Sequence, residues 1–377
     1  MIFDIVGAGI GGLTTAIAME RKGMEVQVFE QATELKPVGA GIILANNAMQ
    51  VYDKLGLKDA IAQCGNPISS INITDMALRP LSKTDLRYFE DKYGVQNVAI
   101  HRGKLQQILA GQLGTSSLKL NCTLKTIKQK DDGFLLGFEK GDFVTSKTLI
   151  GADGLHSTVR KLLFKKGTIR NPRQICWRGI APYALPHKLQ HELNEAWGQG
   201  NRFGFVKIGA EHVYWYAVQT ISPQQTYSVN ALETYFKDYH PLIGELLQQT
   251  PKATIHTAQI EDLRPLPTWW QGNACLLGDA AHATTPNLGQ GACQAIEDAH
   301  ILSECLSQCN VHKAFSEYQR LRKPKAHRVV NASWSLGKMA HWRHPVAIGL
   351  RNQLMKSMPA AFNRRQSERI FKPVPLA

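Results

Sequence analysis

A glycine-spaced turn between an apolar strand and a helix constrains this chain more than any other feature. Ile2-Phe3-Asp4-Ile5-Val6 runs directly into Gly7-Ala8-Gly9-Ile10-Gly11-Gly12, and Leu13 to Arg21 follows with helical periodicity. Gly7 permits the tight turn, Gly9 lets backbone approach a pyrophosphate, and Gly12 allows close packing of helix on strand, with the helix amino terminus facing the phosphates. A second strand, Glu25-Val26-Gln27-Val28-Phe29, ends at Glu30. That is about 20 residues after the glycines, where a carboxylate accepts ribose hydroxyls in dinucleotide folds.

Two later turns follow the same logic. Thr148-Leu149-Ile150 reads as a buried strand that delivers Asp153 and Gly154 of Gly151-Ala152-Asp153-Gly154 at its carboxyl end. Asn273-Ala274-Cys275-Leu276-Leu277 does the same for Gly278-Asp279-Ala280-Ala281-His282. In open parallel sheets ligands sit outside those ends. After Pro286-Asn287-Leu288, the run Gly289-Gln290-Gly291 leads into a strong helical pattern over Ala292 to Leu306.

From about Ile175 to Ile260 the texture changes to aromatic-rich alternation, as in Arg202-Phe203-Gly204-Phe205-Val206 and His212-Val213-Tyr214-Trp215-Tyr216-Ala217-Val218. Val229 to Gln249 reads as helical, with Pro241 marking a break or a first turn. The expected fold is mixed α/β. A discontinuous Rossmann-like nucleotide-binding domain (1–68, 99–172 and 260–310) interleaves with a smaller sheet domain (69–98 and 173–259), and a basic helical segment occupies 311–377.

A chain of 377 residues is long enough for about two domains. No run of about 18 uncharged apolar residues argues for a membrane span, and Met1 to Val6 lacks a secretory signal pattern; a cytoplasmic location is the expectation. The seven cysteines show no CxxC pair and no zinc-like spacing to histidine, so they read as reduced thiols and no metal site is expected.

The net charge of +14 is unevenly placed: Arg320 to Ala377 holds 13 Lys or Arg against the single Glu368. Apolar and aromatic residues such as Trp334, Trp342, Val346, Leu350 and Leu354 lie between these charges, a mixture suited to one or two amphipathic helices. Three readings compete: a solvated helical cap, which is favoured, a surface for anionic lipid or a lipophilic substrate, and nucleic-acid binding, for which no recognisable module is present.

GAGIGGL, HRGKLQQIL, GADGLHSTVR and LLGDAAHATTPNLGQGACQAIEDA, in that order over roughly residues 1 to 325, resemble the single-component flavin-dependent aromatic hydroxylases, the p-hydroxybenzoate hydroxylase-like monooxygenases. The resemblance implies bound FAD, NADPH or NADH as a transient co-substrate without a nucleotide fold of its own, and hydroxylation by dioxygen through a C4a-hydroperoxyflavin. Asp279 would bind a ribityl or ribose hydroxyl, and the planar fork of Arg102 would suit the pyrophosphate.

Asp153 and Gly154 would belong to the motif shared by FAD and NAD(P)H, with a turn role holding Arg160 as the alternative for Asp153. Pro286 would form a rigid wall. Gly289 and Gly291 would expose amides at the positive end of a helix beside the flavin. His282 is expected to make a structural hydrogen bond, with a general base as the alternative, and Glu297 and Asp298 to support local packing and capping.

KPVGAGI, Arg202 in GNRFGFV and Tyr214 in VYWYAV narrow the likeness to the urate and salicylate hydroxylase-like branch. That branch would put Arg202 and Tyr214 against the ring to be oxidised, with a planar, anionic aromatic or heteroaromatic substrate. The alternative is a strand-edge arginine and a core tyrosine. The loop from Pro37 to Gly41 is the expected gate. Two other functions stay open: an oxygenase or epoxidase for a lipophilic isoprenoid or quinone-like molecule, and a non-oxygenating flavoprotein. The residues do not fix the oligomeric state.

Overall fold

The computed structural model describes residues 2–35, 40–114, 117–222 and 226–375. Most of the expected gate, Pro37 to Gly39, lies outside the described residues. Two sheets organise the chain. The first has six strands, and its centre is parallel: Ala274–Leu276, Thr148–Gly151, Ile2–Val6 and Glu25–Phe29 lie side by side in that order. Their carboxyl ends point the same way, so the turns after Val6, Gly151 and Leu276 meet at one edge.

Packing explains the glycines at that edge. Gly7 has φ +106°, and a Cβ there would lie 2.5 Å from the Ala152 carbonyl oxygen. A Cβ on Gly12 would fall 1.9 Å from the Gly7 carbonyl oxygen, so helix Ile10–Glu20 closes on its strand only because position 12 has no side chain.

The second sheet has seven strands in the order His256–Gln259, Gln174–Pro182, His212–Thr220, Asn201–Lys207, Glu192–Trp197, Ser70–Asp75, Pro80–Asp85. All neighbours are antiparallel except Glu192–Trp197 with Ser70–Asp75. Alternation sorts its faces. Phe203, Phe205, Val213, Trp215 and Ala217 pack with Leu232, Phe236 and the helix Pro241–Gln249. Pro241 occupies the first turn of that helix, where its missing N–H costs nothing. Leu193, Val206, Tyr214 and Tyr216 turn the other way, toward the first sheet.

Three helices end the chain: Val311–Ala340, Pro345–Lys356 and Ala360–Phe371. The first is held by buried charge. Arg322 lies 2.7 Å from both Glu297 and Asp298 of helix Gly291–Gln308, and Lys325 lies 2.8 Å from Glu297. Three of the tail's basic residues, Arg322, Lys325 and Arg351, are therefore interior and not part of a solvated surface. No helix among the described residues is long and apolar enough to cross a membrane.

Candidate active site

A cleft of about 670 Å³ opens between the two sheets and runs under the C-terminal helices. Gly9, Gly41, Arg102, Gly154, Tyr214, Asp279, Pro286, Gly289 and Gly291 line it. Gly7 and Gly12 stand behind, shaping the turn. Glu30 and Asp153 also stand behind. Glu30 accepts from the amides of Ala8 (2.7 Å) and Ala32 (2.9 Å). Asp153 accepts from those of Thr158 (2.7 Å) and Val159 (3.0 Å), while its second oxygen is buried with no hydrogen-bond partner among the described residues. Arg160 does not bond Asp153; it donates to the carbonyls of Ala280 and Leu155.

The near half of the cleft is built for phosphate and polyol. Helix Ile10–Glu20 presents its first turn with no side-chain cap at Gly9, and nothing lies within 4 Å of where a Gly9 Cβ would be. Helix Gly291–Gln308 likewise starts without a side-chain cap, so two positive helix ends face the same space.

Asp279 is exposed to the cleft, and among the described residues its carboxyl receives no hydrogen bond. Burial pushes its pKa up, opposed by the charges of His282 and Arg102. Its turn is fixed from behind. Asp298 accepts from Gly278 N–H at 3.1 Å and lies 2.5 Å from His282 Nε2. Burial alone would raise the Asp298 carboxyl, but His282 and Arg322 together hold it at about 2. His282 is thus a buried strut of this turn. Uncapped amides, glycine clearance and an unpartnered carboxyl at this edge fit the pyrophosphate and ribityl chain of FAD.

The far half is a carboxylate set in an apolar wall. Glu195, Gly204 and Tyr216 form one row across three strands. A Cβ on Gly204 would lie 2.1 Å from Tyr216 Cζ, so the bare glycine lets the Tyr216 ring cross over and donate its hydroxyl to Glu195. Trp197 Nε1 (2.6 Å) and Arg202 Nη1 (3.1 Å) also donate to Glu195. Burial and the nearby Glu195 charge raise the Tyr216 pKa, which keeps its proton in place.

Arg202 corrects the expectation for it. It is 1 % exposed, lies behind Glu195, and reaches Asn287 of the Pro286–Leu288 turn with its other amine. It ties the carboxylate to that turn and does not face the cleft. Tyr214 does face it, its ring laid on Gly41, where a Cβ would fall 2.4 Å away.

Glu195 and Tyr216 were missed in the sequence reading. Their signal was parity: Tyr216 shares a face with Tyr214, and Glu195 sits between Leu193 and Trp197 on one side of its strand. Ile71, Ile73, Leu336, Met339, Met355 and Met358 complete the walls, Leu336, Met339 and Met355 from the C-terminal helices and Met358 from the turn between the last two.

Known proteins similar to this chain point to the same cofactor. The chain is 36% identical over 358 residues to an aurachin C monooxygenase/isomerase of Stigmatella aurantiaca, covering 94% of this chain and 93% of the relative. It is 30% identical over 380 residues to a 2-heptyl-3-hydroxy-4(1H)-quinolone synthase of Pseudomonas aeruginosa, covering 98% and 97%. A Klebsiella pneumoniae structure complexed with FAD and uric acid shares the fold, with a TM-score of 0.91 at 23% identity over 100% of this chain and 98% of that one. The FAD binding domain family matches residues 2–333. The chain therefore belongs to the FAD binding domain family and is an FAD-dependent monooxygenase of the aromatic hydroxylase type.

Proposed function

We propose that this protein uses NADH or NADPH and dioxygen to hydroxylate a planar heteroaromatic ring that carries an apolar chain, a substrate of the alkylated quinolone kind. The observation that carries the reading is the far half of the cleft: one carboxylate, with Tyr216 beside it, at the end of an apolar wall of isoleucine, leucine and methionine.

An anionic ring such as urate or salicylate would meet Glu195, and the arginine expected to hold it is already engaged. A neutral heterocycle instead offers Glu195 an N–H or O–H to accept. Its chain then lies along Leu336, Met339 and Met355, where flexible thioethers adapt to an irregular apolar shape. The name of the 2-heptyl-3-hydroxy-4(1H)-quinolone synthase relative supports the same class.

FAD, when bound, would supply the redox chemistry that couples oxidation of the reduced nicotinamide to transfer of one atom of dioxygen to the ring, the other atom leaving as water. Around it, Arg102 and Asp279 would hold the polar chain. The amides at Gly289 to Gly291, at the positive end of a helix, would favour negative charge on a flavin held in the cleft. Arg202 positions Glu195 relative to Asn287, and the C-terminal helices exclude water.

The test is nicotinamide oxidation by the FAD-loaded protein with 2-alkyl-4-quinolones, urate and salicylate, with product mass read in isotopically labelled dioxygen. The expected result is stimulation by the alkylated quinolones and a product one oxygen atom heavier. Stimulation by urate or salicylate alone would overturn the substrate class.

A further inference from the structure

The helix Pro345–Lys356 has two apolar sides with different neighbours. Met355 is buried and lines the cleft. Val346, Leu350 and Leu354 are 73 %, 68 % and 59 % exposed. Their spacing of four residues places them in one stripe on the helix. Exposed apolar stripes of this kind, rimmed by charge, mark interaction surfaces.

The surrounding charge has one sign. Arg343, Lys356, Arg364, Arg365 and Arg369 are exposed along this helix and the next. The single acidic residue after Arg320, Glu368, is bonded to Lys92. Phe362 is also exposed on the last helix, and Arg364 lies 4.4 Å over the ring of Tyr88.

We propose that this stripe and its basic border dock the protein on an anionic lipid surface. Apolar side chains entering the headgroup boundary, with cations beside them, are how a helix lies in a bilayer interface without crossing it. At 12 residues, with Arg351, Asn352 and Gln353 in its sequence, the helix is too short and too polar to span. Charge decides the partner: a uniformly basic rim complements phosphate headgroups.

Leu354 and Met355 are adjacent in sequence, about 100° apart around the helix, one exposed and the other buried against the cleft, so the helix that touches lipid is also a wall of the cleft. An apolar substrate then passes from bilayer to cleft past the same helices. Only this last consequence rests on the substrate class proposed above, because lipid binding is measured without turnover.

The experiment is co-sedimentation of the FAD-loaded protein with phosphatidylcholine vesicles, with and without phosphatidylglycerol. We expect pelleting with the phosphatidylglycerol vesicles that is lost in high salt. It should be weakened roughly tenfold or more in the exposed-face variant Leu350→Glu/Leu354→Glu, and also in Arg364→Glu/Arg365→Glu. Flavin content and nicotinamide oxidation of the leucine variant should match the parent, which separates lost docking from lost folding. Absence of pelleting by the parent overturns the proposal, as does equal pelleting of the leucine variant. A parent that is a dimer in solution, made monomeric by the same variant, would assign the stripe to a second copy of this chain and overturn the lipid reading.

Discussion

Arg202 Nη1 lies 3.1 Å from Glu195 Oε1, with both side chains almost out of solvent, so the charge that faces the cleft is held by one that does not. Arg202→Met leaves a buried carboxylate without its cation, and Glu195→Gln leaves a buried guanidinium without its anion. Each should destabilise the protein by about 3 kcal/mol. The double variant should lose about 1–3 kcal/mol less than the sum of the two. Urea unfolding with excess FAD measures the cycle, and strict additivity would show that the two residues do not act as a pair.

Asp279 has a different character, since its carboxyl takes no hydrogen bond from the described residues. Asp279→Ala therefore removes little from the fold. It should weaken FAD binding about tenfold, as loss of a charged hydrogen bond to a polyol does. The ratio of flavin to protein absorbance after gel filtration reads this out. A parent-like ratio at low FAD would remove Asp279 from the binding set.

The glycine turns were legible because their demands are local. Gly7 and Gly12 answer to a strand, a turn and a helix contiguous in sequence, and Asp279 to the strand just before it. Arg202 was misplaced because its direction depends on strand pairing: Trp197 is its partner across the ladder, and Glu195 is reached only diagonally. The basic tail was readable as amphipathic helices. That the inner side of those helices closes the cleft depends on buried pairs such as Arg322 with Glu297 and Asp298, which join residues far apart in sequence.

Gly204 offers a sharper test of the Glu195 row than removal of either polar group. A methyl group at position 204 collides with the Tyr216 ring and forces the hydroxyl off Glu195. Gly204→Ala should cost about 1–3 kcal/mol through overpacking. Tyr216→Phe should cost less, yet both should raise the KM for substrate. If Gly204→Ala leaves KM unchanged, the Tyr216–Glu195 contact does not shape the substrate end.

Acid should unfold this protein earlier than its carboxylates alone predict. Burial, reinforced by neighbouring cations, depresses the pKa of His300 to about 4, His327 to about 4 and His341 to about 3. For His341 those neighbours are Arg202, Arg343 and Arg351. A histidine titrating lower in the folded than in the unfolded state takes up its proton first when unfolded. Its contribution is complete above about pH 6.5 and is lost as pH falls toward the folded value. Stability from urea unfolding should drop by a few kcal/mol between about pH 7 and pH 5. His341→Asn, which retains a donor to the Gly200 carbonyl but does not titrate, should flatten the curve. An equally steep profile in that variant would exclude His341 as a contributor.

Chain length offers the most direct probe of the apolar wall. Met339 and Met355 approach the cleft from separate helices, and both lie toward the apolar end, away from Asp279 and Arg102. Met339→Trp adds bulk there without touching the flavin half. Each methylene of substrate that no longer fits should cost about tenfold in kcat/KM. The variant should lose activity steeply with long 2-alkyl chains while retaining short ones and its full flavin content. The same loss for every chain length would mean a general disturbance of the site. An unchanged length profile would mean that the substrate's chain lies elsewhere, and the wall of methionines would then need another explanation.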